Sequence, residues 1–189
     1  MTRIILASES PRRRQLLEIL GIDFDCVKPP ITEDLIAGEP PVKAAQRLAR
    51  EKAESIQCED GLIIAADTIV FCQGRILGKP NDEKEAGEML SLLSGRHHEV
   101  ITAICLKKGL ETDLQSEITR VFFRKLNRKE ISGYIAAGEP FDKAGAYGIQ
   151  GKGSIFISRI EGCYFNVVGL PLSRLYQMLQ KHNIEFWGV

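Results

Sequence analysis

Leu62-Ile63-Ile64-Ala65-Ala66-Asp67-Thr68-Ile69-Val70-Phe71 is an apolar run interrupted at two adjacent positions. A run of this length bounded by turn residues is expected to form a buried strand, and Gln73-Gly74 just after it fits a hairpin turn. An ionised carboxylate in such a strand is costly unless a charge meets it. A metal ion or a catalytic water would give Asp67 a purpose. An aspartate near a strand end can equally bond backbone N–H groups, and spacing alone leaves the two readings even.

Outward from this strand, helices and strands interleave. Upstream, Ile4 to Ala7 is a short buried strand. Ser10-Pro11 starts a helix with Ser10 as its cap, Leu16, Leu17 and Leu20 as its apolar positions, and Gly21 as its stop. A loop runs through Pro29, Pro30 and Pro40, and Val42 to Ile56 has the periodicity of a second helix. Downstream, a third helix capped by Asn81 runs to about Leu93. Val100 to Leu106 and Ile118 to Phe123 are strands. A helix spans Asn127 to Ala137, a strand Ser154 to Ile160, and a closing helix Pro171 to His182. Interleaving with hairpin-like pairs predicts an α/β or α+β fold on a mixed sheet, not a strictly parallel one. Eight of the seventeen glycines lie between Gly133 and Gly169, and so dense a stretch points to unusual backbone angles or close approach to a ligand.

The chain has 189 residues, enough for one domain or a compact two-lobed one, and at 44% hydrophobic it has ample material for a core. Lysine plus arginine equals aspartate plus glutamate at 25 each, so the broad basic field of a duplex-DNA or anionic-membrane binder is missing. The five cysteines, Cys26, Cys58, Cys72, Cys105 and Cys163, are scattered and form no C-x-x-C pair. Free thiols in a reducing cytosol are expected rather than disulfides or structural zinc. No apolar stretch approaches the roughly 18 residues of a membrane span, and a soluble, cytoplasmic protein is the expectation.

The strongest local signal is Ser8-Glu9-Ser10-Pro11-Arg12-Arg13-Arg14. Three arginines fall in the first turn of a helix, where the macrodipole already disfavours cations and free N–H groups point outward. A bound anion resolves both, so a phosphate site is favoured over three merely solvated arginines. Lys52 lies on the apolar side of the second helix, between Leu48 and Ile56. Snorkelling to water and contact with a phosphate are its two readings. Glu33, in Ile31-Thr32-Glu33-Asp34, reads as a surface residue. Gly78-Lys79-Pro80 is no P-loop, because proline stands where that motif needs serine or threonine. His97 and His98 are adjacent, face opposite ways in a strand, and make a poor metal pair.

Several segments in order carry a resemblance: Leu6-Ala7-Ser8-Glu9-Ser10-Pro11-Arg12-Arg13, Ala65-Ala66-Asp67-Thr68-Ile69-Val70, Gly78-Lys79-Pro80, Ser94-Gly95 and His98-Glu99-Val100-Ile101-Thr102. They continue in Gly138-Glu139-Pro140-Phe141-Asp142-Lys143-Ala144-Gly145-Ala146-Tyr147-Gly148-Ile149-Gln150-Gly151 and Asn166-Val167-Val168-Gly169-Leu170-Pro171. Together they resemble the Maf family of nucleoside triphosphate pyrophosphatases, essentially end to end. The resemblance implies a single domain over residues 1–189, a Ham1-like fold similar to inosine triphosphate pyrophosphatases, and a curved mixed sheet around a central cleft. It implies cleavage between the α and β phosphates, a divalent cation (Mg2+ or Mn2+), and often a homodimer. By the same resemblance Asp67 is the catalytic proton acceptor and a metal ligand, and Glu33 helps with metal. Ser8, Arg12, Arg13 and Lys52 handle phosphate, and Lys79 lines the cleft. The stretch ending Gln150-Gly151 is similar to the branch acting on dTTP and UTP, in which Arg12, Thr68 and Gln150 match positions tied to base choice. The alternatives are an enzyme of this fold selective for 7-methyl-GTP or non-canonical purines, and a regulatory or nucleic-acid-binding module of cell division. Glu9 departs from the small residue common in the family at that position.

Overall fold

The computed structural model describes residues 2–58, 60–184 and 186. Their seven strands are β1 (Arg3–Ala7), β2 (Asp25–Val27), β3 (Gly61–Cys72), β4 (Arg75–Leu77), β5 (His97–Lys108), β6 (Glu111–Phe123) and β7 (Ile157–Glu161). The helices are α1 (Pro11–Glu18), α2 (Pro41–Glu54), α3 (Glu83–Leu93), α4 (Arg128–Ala136), α5 (Tyr164–Val168) and α6 (Leu172–Gln180). The sheet order is β2-β1-β3-β5-β6-β7, with β4 paired to β3. β1 pairs in parallel with β2 and β3, whereas β3–β4 and β6–β7 are antiparallel. The sheet is therefore mixed, as the interleaved pattern predicts.

The β3–β4 hairpin turns on Gln73 (φ 51°) and Gly74 (φ 75°). Two consecutive positive φ angles give the turn whose twist matches that of the flanking strands. α3 starts one residue later than expected. Asp82, not Asn81, is its cap, its carboxylate accepting from Glu85 N at 2.7 Å, while Glu85 reaches back to Asn81 N at 2.8 Å. The expected strand over Ser154 to Ile160 is half correct: Lys152–Phe156 is a 3-10 turn, and strand geometry begins only at Ile157. β2 and α5 are additions, each too short to leave a periodic signature.

The chain divides into two compact units. The first comprises Met1–Asp67, Thr102–Glu117 and Gly169–Val189. Its buried side chains include Leu6 and Ala7 of β1, Leu16 and Leu17 of α1, Ala45, Leu48 and Ala49 of α2, and Leu175 and Leu179 of α6. On α2 these recur at helical spacing, so one face of the helix is apolar. The second unit comprises Thr68–Ile101 and Ile118–Val168. Its core gathers Val70, Leu77, Leu90, Leu93, Val121, Phe123, Tyr134, Tyr147 and Phe156. The aromatic members pack edge to face, Phe123 on Tyr147 at 4.8 Å and Tyr134 on Phe156 at 4.9 Å between ring centroids, a geometry that sets ring edge against ring face. Within this unit Asn166 fixes α5 to the strands. Its amide donates to Val100 O and to Thr119 Oγ1, both at 2.9 Å.

Candidate functional site

The first unit assembles a charged site from β1, α1, α2 and β3. β1 runs into Ser8, whose buried hydroxyl oxygen accepts from Ser10 N at 3.1 Å. Ser10 in turn caps α1 by accepting from Arg13 N, and Pro11 occupies the first helical position. Two hydroxyls thus orient the first turn of α1 at the end of a buried strand.

The three arginines part company. Arg14 forms an exposed pair with Glu18 at 3.1 Å. Arg13 turns inward and donates from Nε to Gly169 O at 2.9 Å. Burial pushes the Arg13 pKa down, and the negative charges of Asp67 and Glu33 act against that push, while Arg12 adds to it. Arg12, Arg13, Glu33 and Asp67 therefore share one electrostatic neighbourhood. Glu9 stays at the surface, where its carboxylate pairs with Lys28 at 3.0 Å.

Lys52 does not snorkel to water. Only 4% exposed, its ammonium lies 2.5 Å from Asp67 Oδ1 and 2.8 Å from Glu33 Oε1. The helical period put Lys52 on the apolar face of α2, and the reason for its placement lies 15 residues on, in β3. Asp67 is 5% exposed, so each member of this pair meets the charge that makes its burial tolerable. Glu33 keeps 47% of its side chain exposed and supplies the solvent-facing side of the cluster.

Arg12, Arg13 and Lys52 stand against Asp67 and Glu33, leaving an excess of one positive charge next to a helix N-terminus. That combination favours a polyanion with several phosphate oxygens. Both carboxylates point an oxygen at the same ammonium, so they converge on a common point. Among the described residues no group of three or more His, Cys, Asp or Glu side chains is arranged for a metal. The common point is taken by the Lys52 ammonium; the carboxylates that could offer oxygens to a magnesium-type ion, which would draw its other ligands from phosphate and water, are Asp67 and Glu33.

The remaining predicted residues belong to the second unit. Thr68 follows Asp67 in β3 and is partly exposed. Lys79 is exposed just after β4, and Gln150 is exposed in the glycine-rich segment. A backbone bond from Gly145 N to Gly78 O, 3.0 Å, ties that segment to the end of β4. Sequence reasoning passed over Gly169, whose carbonyl seats Arg13, and over Tyr134 and Glu139, which organise the glycine-rich segment. A backbone acceptor leaves no side-chain signal, but Gly138-Glu139-Pro140 stood within the longest recognised motif.

Residues 3–182 match the family described as Maf-like protein. The chain is 58% identical over 182 residues to a dTTP/UTP pyrophosphatase of Syntrophomonas wolfei subsp. wolfei, covering 94% of this chain and 96% of that one. It is 48% identical to one of Carboxydothermus hydrogenoformans, covering 98% and 99%. It is 46% identical to one of Aquifex aeolicus, covering 96% of each. Among solved structures, the HAM1 protein of Coxiella burnetii has a TM-score of 0.54 at 14% identity, over 96% of this chain and all of that one. The Ham1 protein of Staphylococcus aureus has a TM-score of 0.52 at 13% identity, over 96% and 100%. The Ham1-like fold expected from the motifs is the fold observed. The Ser-Pro-Arg-Arg turn and the A-A-D-T strand meet in one charged site inside a match of nearly full length, and the chain belongs to the Maf family.

Proposed function

We propose that the protein hydrolyses dTTP and UTP to the monophosphate and pyrophosphate, with Asp67 as the general base. The observation that carries this reading is the cluster of Lys52, Asp67 and Glu33, electrostatically linked to Arg13 at the start of α1. Its substrate class is supported by relatives at 46% to 58% identity, each a dTTP/UTP pyrophosphatase.

Ser8, Arg12, Arg13 and Lys52 hold the phosphate chain. Arg13 is fixed in advance by Gly169 O, so little side-chain freedom is lost when phosphate binds. Asp67 takes the proton of the water that attacks the α phosphorus. The Lys52 ammonium orients its carboxylate and, with the arginines, offsets charge developing on the pyrophosphate leaving group. A divalent ion, Mg2+ or Mn2+, would be held by Asp67 and Glu33 and would neutralise phosphate oxygens. Lys79 contributes a further positive charge toward the substrate. Thr68 and Gln150 select the base, the Gln amide offering both a donor and an acceptor to a uracil or thymine edge.

Asp67→Asn tests the assignment. It removes the proton acceptor but keeps the shape and a hydrogen-bonding oxygen for Lys52. Turnover of UTP, followed as pyrophosphate release, is expected to fall at least about 100-fold, with the circular dichroism spectrum unchanged. A variant that turns over at near the parent rate refutes the role.

A further inference from the structure

Gln150 sits on a segment that is folded around an internal anion. Glu139, on the turn after α4, directs its carboxylate into the bend formed by residues 148–153. Oε2 accepts from Lys152 N at 3.0 Å, and Oε1 accepts from Gly153 N at 3.2 Å. Tyr134, on α4, donates its hydroxyl to the same Oε1 at 3.0 Å, and its oxygen accepts from Gly148 N at 3.2 Å. One carboxylate and one phenol therefore engage the backbone N–H groups of residues 148, 152 and 153, on both sides of Gln150. Consecutive N–H groups converging on an anion form a nest, normally a site for a bound phosphate or carboxylate. In this protein the anion is supplied by the chain itself.

The glycines are explained by the same contacts. Gly151 has φ +97°, and a Cβ there would lie 2.9 Å from Glu139 Oε1. A Cβ on Gly153 would meet Gly148 O at 2.6 Å and the Tyr134 hydroxyl at 2.9 Å. The positive φ at Gly151 and the backbone contact at Gly153 exclude side chains at both positions, while Gln150, just before them, is left exposed. The entry to the bend is anchored separately: Tyr147 Oη lies 2.7 Å from the buried His98 Nε2. Lys143, which donates to Glu139 O at 2.7 Å, holds the backbone of the turn that presents the carboxylate.

We propose that Glu139 and Tyr134 are specificity-positioning residues: they preform the loop that presents Gln150, and so set base discrimination without touching the reacting phosphates. This rests on the reading of Gln150 as a base contact. Glu139→Gln sets an NH2 group against backbone donors that need an acceptor, and Tyr134→Phe removes only the hydroxyl that bridges Gly148 and Glu139. Both are to be compared with Gln150→Ala in steady-state kinetics on UTP, dTTP and ITP with magnesium.

The expected result is a KM for UTP and dTTP raised about tenfold in Glu139→Gln, as for loss of one charge-assisted hydrogen bond, with kcat held within a factor of about two. Tyr134→Phe should move the same way by a smaller factor. The preference over ITP should shrink in both, as it does in Gln150→Ala. Amide exchange at residues 148–153 should quicken in the two positioning variants and not in Gln150→Ala. If Gln150→Ala loses discrimination while Glu139→Gln and Tyr134→Phe keep KM and preference, the positioning role is overturned and the Gln150 reading stands. If Gln150→Ala itself keeps its preference, the reading beneath fails and takes the positioning role with it. Should Glu139→Gln fail to fold, Tyr134→Phe alone decides by the same KM and preference criteria.

Discussion

At the scale of single residues, Lys52 and Asp67 show how a charge pair can be unreadable along the chain and clear in space. Each was recognisable as a misfit, a cation on an apolar helix face and a carboxylate in an apolar strand. Periodicity assigns a face to a residue but names no partner on another element, so the two misfits could not be joined from sequence. Removing one member leaves the other buried without its counter-charge. Lys52→Met is expected to destabilise the protein by about 3 kcal/mol, read as a lowered urea midpoint. Lys52→Met combined with Asp67→Asn should recover part of that loss. An unchanged midpoint in Lys52→Met would contradict the buried pairing. His98 supplies a pH prediction. Burial pushes its pKa down from 6.5 to about 3, with the neighbouring His97 adding to the shift. The unfolded chain therefore binds a proton that the folded chain refuses, so stability is complete above pH 6.5 and falls as pH drops from there toward 3. The slope from this residue approaches about 1.4 kcal/mol per pH unit within that window. In His98→Gln this part of the slope should vanish in denaturant titrations at pH 7, 6 and 5.

At the scale of elements, helix ends were the best-signalled features, because caps are local chemistry. Ser10-Pro11 and Asn127 start α1 and α4 where expected, and Asn127 with Glu130 completes a capping box. Asn127→Ala should cost about 1 kcal/mol, visible as a lower thermal midpoint with activity retained at 25 °C. Ser10→Ala should carry a similar stability cost and also weaken triphosphate binding, because the same turn presents Arg12 and Arg13. A Ser10→Ala variant with lowered stability but unchanged KM would separate the cap from the phosphate site. The cap of α3 was legible too: Asp82 and Glu85 have capping spacing, and adjacency to Asn81 misdirected the assignment by one residue. The segment 152–156 was misread for a different reason. Ile155 and Phe156 look like strand residues, but the bonds from Lys152 N and Gly153 N to Glu139 take the backbone into a 3-10 turn first. Those bonds span 13 and 14 residues and have no local signature.

At the scale of the molecule, the balanced composition carries meaning once the site is in view. With 25 basic and 25 acidic residues there is no global field to draw in a polyanion, so the triphosphate recognition proposed above rests on the local excess formed by Arg12, Arg13 and Lys52 over Asp67 and Glu33. The mixed sheet was legible from the alternation of elements, and the family from motif order. Where the boundary between the two units falls was not legible, because β3, β5 and β6 each contribute residues to both and no linker marks it. The most direct test of the central claim is product identification. The protein is incubated with UTP and magnesium, and the products are resolved by anion-exchange chromatography, with dTTP, ITP and 7-methyl-GTP in parallel. Cleavage at the α phosphorus predicts UMP and pyrophosphate in equal amounts, with dTTP handled likewise and the two purine nucleotides turned over more slowly. UDP with inorganic phosphate, or no product from any of the four, would contradict it.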